Sequence, residues 1–323
     1  MNIYDEIQKF GVIPVVVIDR VEDAKALGQA LIDGGLPCAE VTFRTDAAEE
    51  AMKVLSREFP DMLLGAGTVL NAEQVDRAIN AGAKFIVSPG FNPNTVKYCI
   101  EKNIPILPGV ESPSQIEQAI EFGLDVVKFF PAEQAGGIKK LSAMSAPYVN
   151  MRFMPTGGIN AGNINSYLSN SKVLACGGSW MVKGDLIKEG KFDEIAKLTK
   201  EAVLTTLGFK IVHFGINSKD EAEAKKAANL FATLFGFGEC ESSKSLFTGS
   251  ESPYKDIEIM KMPYFGTHGH IAIGTSNASR AKSYLEDKGI TFKEETATYK
   301  NGRLTFIYLD IEIGGFAIHL LEV

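Results

Sequence analysis

Eight short runs rich in β-branched and aromatic residues recur between residue 12 and about residue 206, and longer segments of helical period separate them. The helical segments, such as VEDAKALGQALIDGG and NAEQVDRAINAGA, begin with polar residues and stop at glycine. Strict alternation over ~200 residues is typical of a (β/α)8 TIM barrel, whereas an open doubly wound sheet more often has about five to seven strands. The predicted strands are 12–18, 38–43, 62–67, 84–88, 104–109, 125–130, 151–156 and 173–178.

A different pattern follows the charged segment 183–208. Within 210–323 the order of one strand, one helix and then two or three strands occurs twice, which indicates an internal repeat of ~50 to 60 residues. The chain is therefore predicted to be α/β, with a barrel domain at 1–206 and a smaller α+β domain of paired β-α-β-β-β modules at 207–323.

Composition limits the partners and the compartment. The hydrophobic content of 45% and the charged content of 23% are those of a globular protein, and a net charge of -7 gives no basic surface for nucleic acid or an anionic membrane. No stretch approaches the ~20 apolar residues of a spanning helix, and the amino terminus does not resemble a secretory signal. Four scattered cysteines fit neither a disulfide framework nor a C-x-x-C metal motif. We expect a cytoplasmic protein with small-molecule partners.

Lys128 stands out because it lies inside the apolar run DVVKFF. A lysine at a strand end can extend its ammonium to solvent, which is the structural alternative. If the side chain instead enters an apolar pocket, loss of hydration favours the neutral amine, which can attack a ketone and form a Schiff base.

Other strand ends carry residues that such chemistry needs. Glu40 and Arg44 fall on one side of the second strand by period two, and a partly buried carboxylate can relay protons. Arg44 and the hydroxyl of Thr68 could together hold a substrate carboxylate. A structural salt bridge between Glu40 and Arg44 is the alternative.

Glycines follow the last two strands of the predicted barrel. Gly157 and Gly158 come after the seventh strand, and Gly177, Gly178 and Ser179 come after the apolar part of the eighth. Exposed backbone N–H groups in these two loops commonly hold a phosphate in barrel enzymes, although tight turns with positive φ also use glycine.

Residues 1 to about 206 resemble the family of 2-keto-3-deoxy-6-phosphogluconate (KDPG) and 4-hydroxy-2-oxoglutarate (KHG) aldolases, which are class I enzymes on a barrel. The resemblance implies reversible cleavage of a 2-keto-4-hydroxy acid to pyruvate and an aldehyde, without a metal, by a protein that is usually a homotrimer. The matching motifs are GLPCAEVTFR (35–44), GAGTVLN (65–71), SPG (88–90), GLDVVKFFPAEQAGG (123–137), PTGGI (155–159) and GGSWMV (177–182).

The resemblance also implies roles for residues at the matching positions. Lys128 would be the Schiff-base nucleophile, and Glu40 the general acid and base that acts through a water. The substrate-binding positions would be Arg44 and Thr68 for the pyruvyl carboxylate, Pro89 and Phe130 for the wall of its pocket, Thr156 for hydroxyls, and Gly157, Gly158 and Ser179 for phosphate. A phosphosugar isomerase or epimerase, which would not require Lys128, and a non-catalytic phosphosugar-binding protein are the alternatives.

All four histidines lie in the last 111 residues, at positions 213, 268, 270 and 319. The paired repeat resembles the vicinal-oxygen-chelate superfamily, whose metal ligands come from the first and last strand of each module. The resemblance implies a divalent transition metal held by His213, Glu258, His270 and His319, although His319 stands where a glutamate is more usual and Glu322 follows three residues later. Many members of that superfamily bind no metal, and histidines in strands that are satisfied by their neighbours are the structural alternative. A ligand-sensing or assembly module is favoured over a catalytic domain.

Overall fold

The computed structural model describes residues 2–300 and 302–323. Met1, at which the predicted first domain begins, and Asn301 lie outside the described residues. The chain folds into two compact units, the first ending at Thr206 and the second running from Leu207 to Val323.

The first unit alternates short buried strands with helices. Its strands are β1 Val12–Val16, β2 Cys38–Thr42, β3 Leu63–Gly67, β4 Phe85–Val87, β5 Ile106–Leu107, β6 Gly109–Val110, β7 Val126–Phe129, β8 Arg152–Pro155 and β9 Cys176–Gly178. Its helices are α1 Ile3–Phe10, α2 Asp23–Asp33, α3 Ala48–Glu58, α4 Ala72–Asn80, α5 Pro93–Glu101, α6 Pro113–Glu121, α7 Gly137–Ser145, α8 Ile164–Leu168, α9 Gly184–Lys188 and α10 Phe192–Leu207.

Every strand pairing in this unit is parallel, which gives an α/β fold of TIM-like form. The strands follow the orders β5-β4-β3-β2-β1-β9 and β6-β7-β8, and isolated parallel bridges join Phe153 to Val173 and Thr156 to Gly177. Each of the eight predicted strands overlaps an observed one. The fifth is split into β5 and β6 at Pro108, which has no N–H to donate to the ladder. The carboxyl ends of parallel strands share one edge, where the candidate residues lie.

The second unit, whose elements begin at β10, consists of two halves with the same element order. Its strands are β10 Lys210–Asn217, β11 Gly238–Glu241, β12 Ser245–Gly249, β13 Ile257–Met260, β14 Gly269–Thr275, β15 Phe292–Lys300, β16 Arg303–Ile313 and β17 Phe316–Glu322, and its helices are α11 Glu221–Phe235 and α12 Ala278–Glu286. Within each half the first strand pairs in parallel with the last, β10 with β13 and β14 with β17. The halves meet where β10 pairs antiparallel with β14, in the sheet order β11-β12-β13-β10-β14-β17-β16-β15.

The face of this sheet that packs on α11 is apolar. Ala224 and Ala228 of the helix lie against Leu246 and Ile259, which are buried on β12 and β13. Among residues 2–300 and 302–323, no helix combines the length and the apolar character needed to cross a membrane.

Candidate active site

Lys128 and Glu40 form a buried pair at the centre of the first unit. The Nζ atom of Lys128 lies 3.2 Å from Oε1 of Glu40, and the two residues are only 5% and 1% exposed. The ammonium also lies 5.2 Å from the centre of the Phe130 ring. The side chain of Lys128 therefore stays in the interior and does not extend to solvent, which rules out the structural alternative considered for this lysine.

Small neighbours make room for this pair. Gly109 is the register partner of Lys128 on β6, and Gly67 follows two positions after the register partner of Glu40 on β3. A Cβ atom at position 67 would lie 2.3 Å from Oε1 of Glu40, so only glycine fits there. Oε2 of Glu40 has no hydrogen-bond partner among the described residues. It is free to accept a proton or a hydrogen bond from a bound molecule.

Arg44 and Thr68 come together beyond the ends of β2 and β3. Nε of Arg44 donates to Oγ1 of Thr68 at 3.1 Å, and Arg44 is exposed. Thr68 has a φ of 59°, in the left-handed region that a threonine rarely adopts. The structural salt bridge between Glu40 and Arg44, which was the alternative, does not form, because Glu40 pairs with Lys128 instead. The remaining N–H groups of Arg44 are in a position to meet an incoming carboxylate.

Pro89 and Phe130 line one cavity of about 280 Å³, which also includes Gly109 and Pro131. Phe130 directly follows β7, and the centre of its ring lies 5.2 Å from Nζ of Lys128, so one wall of this cavity lies beside the lysine. The two predicted wall residues therefore lie together.

The two glycine-containing loops are neighbours. Thr156 forms a parallel bridge with Gly177, and its buried Oγ1 has no hydrogen-bond partner in the part of the chain that the structure describes. Gly157 and Gly158 have φ values of 102° and 76°, which favour glycine at both positions. Ser179, one residue beyond β9, is exposed. The arrangement leaves polar groups of both loops at the same edge of the sheet.

Sequence reasoning missed the residues that support these loops. Glu133 packs its Cβ and Cγ at the place where a side chain of residue 158 would lie, and its carboxylate accepts a hydrogen bond from the hydroxyl of Tyr167. Burial, reinforced by this bond, raises the pKa of Tyr167. Glu133 belongs to the motif FPAEQAGG, but nothing in its spacing indicates that it contacts the glycine turn.

In the second unit, three of the four histidines converge. One ring nitrogen from each of His213, His270 and His319 lies within 4.8 Å of the others, whereas the exposed His268 lies outside this group. Oε2 of Glu258 is 3.3 Å from Nε2 of His213 and 3.2 Å from Nε2 of His270, and these two nitrogens are 3.1 Å apart. Glu258 therefore contacts two of the three imidazoles, and all four predicted residues line one cavity.

Electrostatics in this cluster favour a neutral His319 beside an ionised Glu258. Burial lowers the pKa of His319 to about 3, and the neighbouring imidazoles add to the shift. Burial alone would raise the pKa of Glu258, but hydrogen bonds from His213, His270 and Ser245 outweigh it and hold this pKa well below its usual range. A set of neutral imidazoles with one carboxylate is suited to a divalent transition metal.

Two residues that shape the cluster were not predicted. The hydroxyl of Ser245 donates to Oε1 of Glu258 at 2.5 Å, and Ser245 is 1% exposed. A Cβ atom on Gly215 would lie 2.1 Å from the His270 ring, so the glycine leaves space for that imidazole across the β10–β14 pairing. The serine-rich stretch ESSKSL has no pattern that distinguishes Ser245 from its neighbours.

A parallel α/β fold with a buried lysine beside a carboxylate fits an aldolase of the Schiff-base type. The family model described as KDPG and KHG aldolase matches residues 3–198. The chain belongs to this family, and it is a lyase.

Known proteins match the same part of the chain. The 2-dehydro-3-deoxy-phosphogluconate aldolase of Treponema pallidum is 50% identical over 203 residues, which are 63% of this chain and 97% of that protein. A crystal structure of KDPG aldolase from Legionella pneumophila, with pyruvate captured as a covalent carbinolamine, has a TM-score of 0.61 at 39% identity and covers 62% of this chain and 98% of its own. The structure of the KDPG aldolase of Zymomonas mobilis ZM4 with 3-phosphoglycerate has a TM-score of 0.58 at 41% identity. The match covers 62% of this chain and 94% of that one.

Proposed function

We propose that the first unit reversibly cleaves 2-keto-3-deoxy-6-phosphogluconate to pyruvate and glyceraldehyde 3-phosphate, and 4-hydroxy-2-oxoglutarate to pyruvate and glyoxylate. The observation that carries this proposal is the buried contact of 3.2 Å between Lys128 and Glu40. The names of the relatives support the substrates, and the pyruvate carbinolamine of the Legionella enzyme supports the covalent route. An isomerase or epimerase, or a binding protein without catalysis, is not favoured, because the relatives are aldolases.

The proposed mechanism begins when the neutral amine of Lys128 attacks the C2 ketone. Loss of water from the resulting carbinolamine gives an iminium, which accepts the electron pair of the C3–C4 bond as that bond breaks and the C4 hydroxyl loses its proton. The aldehyde leaves, the enamine is protonated at C3, and water releases pyruvate and the free amine. Glu40 carries the protons through a water, and the iminium takes the part that a metal plays in other aldolases.

We assign the binding groups by their chemistry. Arg44 and Thr68 hold the pyruvyl carboxylate, and Pro89 and Phe130 form the wall beside its carbon chain. At the other end, Thr156 contacts the substrate hydroxyls while Gly157, Gly158 and Ser179 hold the phosphate. The unpartnered Oγ1 of Thr156 and the positive φ values of the two glycines support these assignments.

Borohydride trapping tests the nucleophile. Reduction in the presence of pyruvate should add one pyruvyl group to Lys128, detected by peptide mass spectrometry, and Lys128→Met should abolish both the adduct and pyruvate release. Lys139→Met, which changes an exposed lysine of α7, is the matched control and should retain both. An adduct that survives in Lys128→Met would contradict the assignment.

We propose that the second unit is a vicinal-oxygen-chelate-like domain that binds a divalent transition metal through His213, Glu258, His270 and His319. Donors at ~2.0–2.1 Å from a tetrahedral zinc ion lie ~3.3 Å apart, close to the 3.1–3.3 Å measured between Nε2 of His213, Nε2 of His270 and Oε2 of Glu258. Two halves that each contribute a first and a last strand support the superfamily assignment. A bound metal would supply a Lewis acid there.

Elemental analysis tests this second proposal. The purified protein should carry about one metal ion per chain, and His213→Ala combined with His270→Ala should remove it. His268→Ala is the control, because His268 lies outside the cluster. Equal metal content in all three proteins would place any metal elsewhere, and no metal in the wild type after reconstitution would overturn the proposal.

We also propose that the protein is a cytoplasmic homotrimer assembled through the first unit. The family resemblance supports the trimer, and the four free cysteines are compatible with a reducing compartment. Light scattering coupled to gel filtration should give about three times the chain mass of 35.0 kDa. A monomer or dimer at micromolar concentration would contradict it.

A further inference from the structure

We propose that the cavity around the histidine cluster of the second unit is a receptor for small carboxylate monoanions, which bind at the metal. The proposal rests on the metal site proposed above and deepens it by naming the class of ligand. Three features carry it: the charge of the donor set, the lining of the cavity and the way in which Glu258 is held.

The donor set leaves the proposed metal site positively charged. A ligating imidazole must be neutral, so His213, His270 and His319 add no charge, and Glu258 contributes a single negative charge. A divalent cation in this set therefore keeps a net charge of +1. A glutamate in place of His319 would bring the site to zero. The residue at position 319 consequently determines whether the site attracts a neutral or an anionic ligand.

The other residues that line the cavity add no net charge to the metal site. The cavity has a volume of about 430 Å³, which is enough for a small organic molecule. Besides the cluster, its charged lining residues are Lys244 and Glu295, which are both exposed and opposite in sign. Met260, Phe306 and Leu321 give it apolar surface, where an unscreened charge acts more strongly than in water. A monoanion neutralises the site, whereas a dianion would leave it negatively charged.

Glu258 is held so that only one of its oxygens faces the cluster. Its Oε1 accepts the hydroxyl of Ser245 at 2.5 Å, while Oε2 lies near the two imidazoles. The hydroxyl of Ser242 lies 2.9 Å from that of Ser245 and extends this support. The carboxylate can therefore supply one donor atom and not two. Positions remain open for oxygen donors from a ligand, and a carboxylate is an oxygen donor with the required charge.

Acetate and acetamide are the matched probes, because they share size and shape and differ in charge. The full chain loaded with Co²⁺ should change its visible absorption on titration with acetate, with an affinity at least about tenfold higher than for acetamide. The signal arises only at the metal, so binding of a carboxylate in the first unit does not interfere. Equal affinities for acetate and acetamide would overturn the proposed selectivity for anions and leave the metal site standing. Failure of the wild type to take up cobalt would overturn the metal site and this proposal together.

His319→Glu tests the origin of the charge. The ratio of acetate to acetamide affinity should fall by about tenfold or more, because the site loses its net positive charge. His268→Glu introduces the same side chain at an exposed histidine outside the cluster and should leave the ratio unchanged. An unchanged ratio in a cobalt-loaded His319→Glu protein would contradict the proposal. If that variant does not fold, the wild-type comparison of the two probes still decides.

Discussion

At the scale of single residues, the position of one carboxylate depends on a glycine that carries no chemistry of its own. Glu40 is 1% exposed, and its Oε1 occupies the space that a side chain on Gly67 would need. With the carboxylate held there, Lys128 has a counter-charge at 3.2 Å. A buried charge without a partner costs several kcal/mol, so the glycine indirectly keeps the lysine side chain in the interior.

Gly67→Ala should therefore reduce activity by displacing Glu40. We expect kcat for pyruvate release to fall by about 10²-fold or more, with a smaller change in KM, because a misplaced proton relay affects the chemical steps most. Steady-state kinetics measures this change. Gly184→Ala is the control, since a Cβ atom at position 184 meets no other atom within 4 Å. A variant that folds normally and keeps wild-type kcat would show that the position of Glu40 tolerates displacement.

Ser245 offers a second test at this scale. Ser245→Ala should lower the affinity of the second unit for a divalent metal by about 10- to 100-fold, because Oε1 of Glu258 loses the hydroxyl that orients the carboxylate. Competition with a chromophoric chelator measures this affinity. Ser243→Ala changes an exposed neighbour and should have no effect. Equal affinities of the two variants would mean that Glu258 is oriented without Ser245.

At the scale of elements, the sequence predicts the regular strands well and the irregular ones poorly. The apolar runs of β1, β2 and β7 are buried at nearly every position, which is why composition alone locates them. The strand β11, with the sequence GECE, lacks both apolar alternation and β-branched residues, so the predicted module allows for a third strand but no local pattern locates it. It exists because it pairs with β12, a tertiary contact that no local pattern records.

The same limit applies to the candidate sites. Lys128 and Glu40 could be predicted, because a charged residue in an apolar strand is conspicuous. Gly67, Gly215, Glu133 and Ser245 could not, because each matters through a neighbour that is distant in sequence. Their roles depend on distances of a few ångströms between side chains, which only the folded chain defines.

The helix α5 contains a thiol whose ionisation should influence stability at high pH. Burial raises the pKa of Cys99 from 9.0 to about 12. In the unfolded chain the thiol ionises near pH 9, whereas in the fold it stays protonated until about pH 12, so stability is complete below pH 9 and is lost as the pH rises between these values.

Urea unfolding of the first unit between pH 8 and pH 11 tests this linkage. Above pH 9, wild type should release about one more proton per unfolding event than Cys99→Ala. Cys240→Ala, which changes a half-buried thiol of the second unit, is the control. Its free energy of unfolding should change with pH as steeply as that of the wild type. If the free energy of unfolding changed equally steeply with pH in wild type and Cys99→Ala, Cys99 would not contribute to the pH dependence of stability.

At the scale of the whole molecule, the chain divides into two compact units, and the family match lies within the first of them. The first unit ends at Thr206, and the family match ends at residue 198. The Treponema relative matches over 97% of its own length, so a chain with little beyond the first unit corresponds to a complete aldolase.

A chain that ends after Leu207 should therefore fold and keep kcat for aldol cleavage within about twofold of the full chain, because Lys128, Glu40 and the glycine loops all lie in the first unit. In the full chain, a chelator should remove metal from the second unit without changing this rate, since the Schiff-base route needs no metal. Coupled assays of pyruvate release measure both. A large loss of kcat in either case would mean that the second unit contributes to catalysis.

The pairing of β10 with β14 also has a consequence for symmetry. Each half of the second unit carries two residues of the cluster, His213 with Glu258 and His270 with His319, so neither half forms it alone. Two identical halves paired in this way would present the same two side chains from both sides. In a single chain the halves are free to differ. Positions 258 and 319 can therefore hold a carboxylate and an imidazole, and the cluster has an asymmetry that two identical copies cannot have.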